Sequence, residues 1–348
     1  MRIGPIPQNP VEWLALKSGV VPLPLAHSHF GFMISKVLLE STDAGVFEAL
    51  KDGPLALEPL AQRLQVDPRA LRTLLGVVAS LDLLDCDDGQ FSLTPLAKKW
   101  LLIDAPESSH AMMLFDNRVC MDWMRHVGTF LKTGQGLQYH ETFTTEEWRL
   151  YQNAMRGAAA STARELARRL KLPKTAMSIL DIGGSHGTYS ALLCKKYPQL
   201  HATILDLPEA VEHAAPLLAE HGLGDRARHQ AGNVLTDELG QNRHDFVLMA
   251  SVAHHLSAAQ NQLVAQKAHA ALKPGGQYAV LEFLRQDQVI RGGDMLGALG
   301  DFFFALSSTS GLYSAGEISG QLIDAGFQAV RTMKFLTIPG FARVIGRK

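Results

Sequence analysis

The sequence predicts an α/β protein: a Rossmann-like, seven-stranded, mostly parallel sheet preceded by an α-helical winged-helix module. Three observations carry this. From Ser178 onward, apolar strand patterns alternate with helical ones, and such alternation builds a mostly parallel sheet covered on both faces. The first of those strands runs into Gly183-Gly184-Ser185-His186-Gly187, and the second ends on Asp206. Upstream, signals for helix, tight turn, helix and hairpin succeed one another between residues 55 and 94.

In chain order, residues up to about 30 are Pro-rich and read as irregular. Residues 29–50 show a helical apolar pattern (Phe32, Ile34, Val37, Leu38, Leu39, Val46, Phe47, Leu50). That is more apolar surface than a small domain covers alone, and it implies a second copy of the chain, hence a homodimer. Two short helices are expected at 55–64 and 68–84, with Asp67 as N-cap and Pro68 at the first helical position. Asp87-Asp88-Gly89-Gln90 reads as a hairpin turn. Residues 107–170 read as further helices, with 147–170 a long connector. Strands are expected at 178–182, 201–206, 228–232, 245–250, 277–283, 327–335 and 341–347, and helices at 188–197, 208–221, 258–272 and 315–325. The last two strands are separated by too few residues for a helical crossover, so they should pair antiparallel at the sheet edge. The chain is accordingly divided into residues 1–106, a connector at 107–170, and residues 171–348.

Composition narrows the classes. The 348 residues are 47% apolar and 19% charged, with a net charge of -1. This is a globular composition with no polyanion or acidic membrane implied as partner. The segment after Asp67 carries only Arg69 and Arg72, and the following wing is acidic (Asp82, Asp85, Asp87, Asp88). Phosphate contacts dominate DNA affinity, so no nucleic acid is expected. Cys86, Cys120 and Cys194 form no C-x-x-C pair and read as reduced thiols of a cytoplasmic protein. Met1-Arg-Ile-Gly-Pro-Ile-Pro7 has no leader pattern, and no apolar run reaches the roughly 20 residues of a membrane span. The 14 histidines show no ligand spacing beside carboxylates, so no metal is expected.

The strand ends carry the chemistry. Small residues at Gly183, Gly184 and Ser185 let a ligand approach the backbone. Asp206, some 20 residues further on, stands where a nucleoside-binding fold places the carboxylate for the ribose hydroxyls. A dinucleotide turn would need glycine where Ser185 and Thr188 stand. A nucleoside cofactor without a pyrophosphate is therefore indicated, and S-adenosylmethionine fits better than NAD. Leu207, Gly232-Asn233-Val234 and Ser251 complete the expected cofactor set. His254, after the buried strand Phe246-Val-Leu-Met249, lies at the carboxyl end of the fourth strand, where open α/β sheets place chemistry. It can take a proton from a substrate hydroxyl. Glu282, at the tip of the fifth strand, can hold the other ring N–H. His255 is expected to point elsewhere.

These residues resemble those of the plant-type small-molecule O-methyltransferases, the family of acetylserotonin O-methyltransferase and its bacterial relatives. Leu180-Asp-Ile-Gly-Gly-Ser-His-Gly187 is similar to the family's Asp-x-Gly-Gly-Gly-x-Gly loop, and Asp206-Leu207-Pro208 to its ribose motif. His254 falls on the family's catalytic histidine, Glu282 on a bracketing carboxylate, and Tyr151-Gln-Asn-Ala-Met155 on the Phe-Asn-x-Ala-Met segment. The resemblance implies a class I methyltransferase domain behind a winged-helix dimerisation domain. It also implies His254 as general base and S-adenosylmethionine as methyl donor. The chain departs from the family at Asn233, where an acid is usual, at Ala250 in place of a lysine, at His255 in place of aspartate, and at Leu312-Tyr313, where a second acid is absent.

The acceptor pocket should be apolar and aromatic, drawn from Phe115, Trp123, Tyr151, Met155, Phe302 and Phe303, with Met124, Phe143 and Trp148 as further candidates. A small aromatic secondary metabolite is the expected substrate. C- or N-methylation on the same scaffold, a non-catalytic ligand-sensing winged-helix protein, and an NAD-dependent oxidoreductase are the alternatives. Roles for His186 and His255 stay open.

Overall fold

The computed structural model describes residues 3–348. Met1 and Arg2, the start of the stretch read above against a leader, lie outside the described residues. The described residues divide into two compact units, one from Ile3 to Met121 and one from Asp122 to Lys348.

In the first unit, the expectation of irregular chain before residue 30 is corrected. Pro10–Ser18 is a helix, capped by Asn9, whose side chain accepts from the Glu12 amide, and stopped by Gly19 at φ 79°. Asn, Pro and Gly at these three places are ordinary helix punctuation, which the density of prolines obscures. Helices Leu57–Leu64 and Pro68–Ser80 follow, the second capped by the Asp67 side chain on the Ala70 amide. Strands β1 (Leu55–Ala56), β2 (Leu84–Asp87) and β3 (Gln90–Leu93) form a small antiparallel sheet in the order β1-β3-β2. The core of this unit gathers Leu39, Phe47, Leu60, Leu75 and Val78. Val11, Trp13, Leu14, Phe30 and Phe32 are exposed.

The second unit opens with the connector helix Thr145–Arg169, held at its start by a capping box between Thr144 and Glu147. Seven strands follow: β4 (Ser178–Ile182), β5 (His201–Asp206), β6 (Ala227–Ala231), β7 (His244–Ala250), β8 (Leu272–Phe283), β9 (Gln328–Lys334) and β10 (Phe341–Arg347). Their order is β6-β5-β4-β7-β8-β10-β9. β4 through β8 pair parallel, while β10 runs antiparallel to both β8 and β9. The antiparallel pair expected at the edge is thus present, with β10 slotted inside and β9 outermost. One face packs Ile179, Phe246 and Leu281 against Leu166 and Leu193 of the covering helices. The other packs Leu180, Val247 and Val280 against Val264, Ala268 and Ile318.

A further helix, Met295–Ser307, is absent from the sequence expectation. Its sequence, MLGALGDFFFALS, is apolar nearly all round, so no single face stands out to mark it. No helix among the described residues is long and apolar enough to cross a membrane.

Candidate active site

The carboxyl ends of β4, β5 and β6 open into a cavity of about 330 Å³. Its floor is the turn after β4. Gly183 adopts φ 64°, and a Cβ there would lie 2.5 Å from Val252. A Cβ on Gly184 would lie 2.6 Å from the Asp181 carboxyl carbon. Ser185 takes φ 48° and Ser251 φ 55°, left-handed conformations that side chains rarely adopt. Both residues line the cavity, and such strain concentrates where backbone meets ligand.

Asp206, at the tip of β5, is fixed from two sides. Its Oδ2 accepts from the Ser185 amide at 2.7 Å and its Oδ1 from the Leu207 amide at 2.8 Å. Each oxygen keeps lone-pair capacity for a ribose hydroxyl. Burial pushes its pKa up to about 6 against those two bonds. At the tip of β6, the Asn233 side-chain oxygen accepts from the Leu235 amide and the Asn233 amide donates to Asp237. That leaves the Asn233 amide NH₂ as a neutral donor on the wall. A Cβ on Gly232 would lie 2.4 Å from an Asp237 oxygen.

Beyond β7, a short 3₁₀ turn, Ala253–His255, carries two histidines in opposite environments. Successive side chains in such a turn diverge by roughly 120°. His254 turns inward and is 2% exposed, with Nδ1 2.9 Å from Oε2 of Glu282, itself fully buried. Phe304, on the helix Met295–Ser307, stacks on its ring at 3.8 Å. His255 lines the cavity, contrary to expectation, and His254 does not. The physical reason is that unforeseen helix: its Phe304 covers His254, and its end places Ser308 against His255. The Ser308 hydroxyl donates to the His254 carbonyl at 3.2 Å, so it accepts from His255 Nδ1–H at 2.5 Å. This fixes the tautomer and leaves Nε2 as an acceptor, 3.5 Å from the Tyr139 hydroxyl. Burial drives the His255 pKa well below its ordinary value, as it drives that of His140 to about 3. Both rings are therefore neutral.

The opposite wall is aromatic. Trp148, Tyr151 and Gln152 of the connector helix and Tyr139 and His140 of a short turn face the cavity. His140 stacks on Trp148 at 5.3 Å, and Tyr139 stacks on Trp123 at 4.6 Å. A second cavity of about 120 Å³ shares Tyr151, Gly183, Ser185 and Ser251 with the first and continues past Met155, His186, Phe283 and Phe341. Burial pushes the His186 pKa down to about 3. No group of three or more His, Cys, Asp or Glu among the described residues is placed to hold a metal ion.

Residues 118–328 match the O-methyltransferase domain, and residues 26–102 match the O-methyltransferase dimerisation domain. The chain belongs to the O-methyltransferase family. The family uses S-adenosylmethionine, so this chain is an S-adenosylmethionine-dependent methyltransferase. It is 28% identical to the 3-hydroxy-5-methyl-1-naphthoate 3-O-methyltransferase of Streptomyces sahachiroi, over 90% of this chain and 92% of that one. It is 27% identical to the N,N-dimethyltransferase OxyT of Streptomyces rimosus, over 84% and 87% of the two chains. Its fold is that of human N-acetylserotonin methyltransferase, solved in complex with S-adenosylmethionine: TM-score 0.81, 23% identity, 98% of each chain covered.

The residues of this O-methyltransferase fit the cofactor. Asp206 has acceptor capacity for two hydroxyls, the left-handed backbone of Gly183, Ser185 and Ser251 lines the cavity, and a buried amide nitrogen of Gln152 has no partner among the described residues. All nine residues expected around the cofactor except Gly184 line the larger cavity, and Gly184 lines the smaller. The expected acceptor residues scatter more. Tyr151 and Met155 line cavities. Trp123 and Phe303 pack together at 5.8 Å, and the exposed Phe302 packs on Phe130. None of these three lines either cavity. Phe115 is buried in the N-terminal unit. Sequence reasoning missed Gln152, His140, Ser308 and Phe304. Gln152 alone had a signal, since Trp148, Tyr151, Gln152 and Met155 recur at the three- and four-residue spacing of one helix face.

Proposed function

We propose that this O-methyltransferase moves a methyl group from S-adenosylmethionine to a hydroxyl of a small, flat aromatic metabolite, and that the His254–Glu282 pair takes up the hydroxyl proton. The observation that carries this reading is the buried imidazole–carboxylate contact of 2.9 Å at adjacent strand tips, beside a cavity fitted to an adenosyl group. In this reading Asp206 accepts the ribose hydroxyls. Leu207, Gly232, Asn233 and Val234 frame the adenine, and Gly183, Gly184, Ser185 and Ser251 line the path to the reacting centre.

Bound S-adenosylmethionine supplies a methyl already activated on a sulfonium. The protein has to align an oxygen with it, worth on the order of 7–11 kcal/mol, and accept a proton, worth roughly 10²–10⁴ in rate. Donation of Nδ1–H to Glu282 leaves Nε2 of His254 bare. With the cofactor bound, Nε2 of His254 would take the hydroxyl proton as the acceptor oxygen takes the methyl group. Glu282 then faces an imidazolium and stabilises it. Phe304 covers the His254 ring, so on this reading that side chain has to turn aside when the acceptor binds.

A second reading has one observation in its favour: His255 lines the cavity with a bare Nε2. Labelled S-adenosylmethionine offered with phenols, catechols, indoles and amines tests both. Label on a phenolic oxygen, lost in His254→Ala and kept in His255→Ala, supports the first reading. The reverse loss makes His255 the base, and label only on nitrogen or carbon overturns O-methylation. The exposed apolar side chains of the N-terminal unit support a homodimer. The exposed acidic wing argues against nucleic acid, and two buried free thiols, Cys120 and Cys194, suit a reducing cytoplasm.

A further inference from the structure

Resting on the cofactor reading above, we infer that Gln152, on the connector helix, binds the carboxylate at the amino-acid end of S-adenosylmethionine and makes that end a condition for tight binding. Gln152 is 1% exposed and lines the larger cavity. Its Oε1 accepts a short hydrogen bond from the Ser185 hydroxyl, while its Nε2 is buried without a partner among the described residues. A buried donor left unmade costs about 1–3 kcal/mol, so its retention at a ligand wall marks a place where a ligand acceptor completes it. Asp181 Oδ1 and Thr188 Oγ1, also without partners, flank the same glycine turn but line neither cavity, and Asn261 Oδ1 and Arg343 Nε lie elsewhere. Of the buried polar atoms left without a partner among the described residues, Gln152 Nε2 is the one whose residue lines either cavity.

The assignment to a carboxylate follows from charge. Among the described residues, no lysine or arginine lines either cavity. Arg156, one turn further along the connector helix, is engaged with Glu220 at 2.5 Å. His140 and His255 are held neutral by burial. A carboxylate entering this site meets no cation and must be held by neutral donors. At the far end of the cavity the Asn233 amide faces the tip of β6, and the ribose is met by an acceptor, Asp206. Gln152 is bound to Ser185, whose amide also donates to Asp206. It is thus the amide donor one residue removed from the ribose, on the side of the glycine turn.

Calorimetry with the full-length protein and three ligands tests this: S-adenosylhomocysteine, decarboxylated S-adenosylmethionine, and 5′-methylthioadenosine, which lacks the amino-acid end. Gln152→Leu should weaken S-adenosylhomocysteine about ten- to hundredfold, the range for a hydrogen bond to a charged group. It should leave the two ligands without a carboxylate unchanged. Gln152→Glu should weaken S-adenosylhomocysteine further by like-charge repulsion. Equal losses for all three ligands, or retention of affinity in Gln152→Glu, overturn the inference, the latter by pointing to the ammonium instead. Thermal melts of both variants separate a folding defect from a binding one. If the parent protein binds none of the three ligands, the cofactor reading itself fails.

Discussion

The two sides of the cavity are built from different materials. Over β4, β5 and β6 the wall is strand ends, glycines and short polar side chains, each held by a backbone hydrogen bond within a few residues or from the neighbouring strand. Across from it, rings from the connector helix, from the turn at Tyr139–Glu141 and from the helix Met295–Ser307 meet one another, far apart in sequence. The first wall is rigid because its backbone is pinned. The second is shaped by packing, and only packing decides which ring lines the cavity and which fills the core. On the proposed reading, the strand ends recognise the adenosyl part of the cofactor and the rings choose the acceptor, with Gln152 reaching the cofactor from the ring side.

The largest test of that division is His254→Gln, which should lower turnover about 10²–10⁴-fold while calorimetric affinity for S-adenosylmethionine holds. A parallel fall in affinity would erase the boundary between the two walls. Trp123→Ala should cost about 3–5 kcal/mol in urea unfolding, since the ring is buried against Tyr139, Phe143 and Phe303. A variant as stable as the parent, with a changed acceptor range, would make Trp123 pocket wall after all. Asp206→Asn should weaken S-adenosylmethionine by about ten- to hundredfold, with little effect on turnover at saturation.

The smallest effect is in pH. Asp206 must be ionised to accept both ribose hydroxyls, and burial holds its pKa up at about 6. Affinity should be full above that value and fall about tenfold per unit below it, and Asp206→Asn should be flat over the same range. The stability of the cofactor-free protein should run the other way. Its folded-state pKa lies above the ordinary 3.8, so the folded state binds the proton more tightly. The contribution of this group to stability therefore falls as pH rises from about 4 to about 6. Opposite slopes for binding and stability would sharpen the reading of Asp206, and parallel slopes would break it.

By itself the sequence determined what local chemistry can fix. Strand periodicity placed all seven strands of the large sheet, and the Asp67-Pro68 cap placed the winged-helix turn. The glycine turn with Asp206 located the cavity wall proposed for the cofactor, because a positive φ, a close backbone approach and a strand-end carboxylate are each specified within a few residues. Tertiary structure alone decided the other wall. Whether His254 or His255 meets the cavity depends on Phe304 and Ser308, some 50 residues away on a helix whose uniformly apolar sequence hides its periodicity. Trp123 and Tyr151 are both large aromatic residues near the same site, yet one lies in the core and the other on the wall. Side-chain identity sets what a residue can do, and burial by distant segments sets whether it is placed to do it.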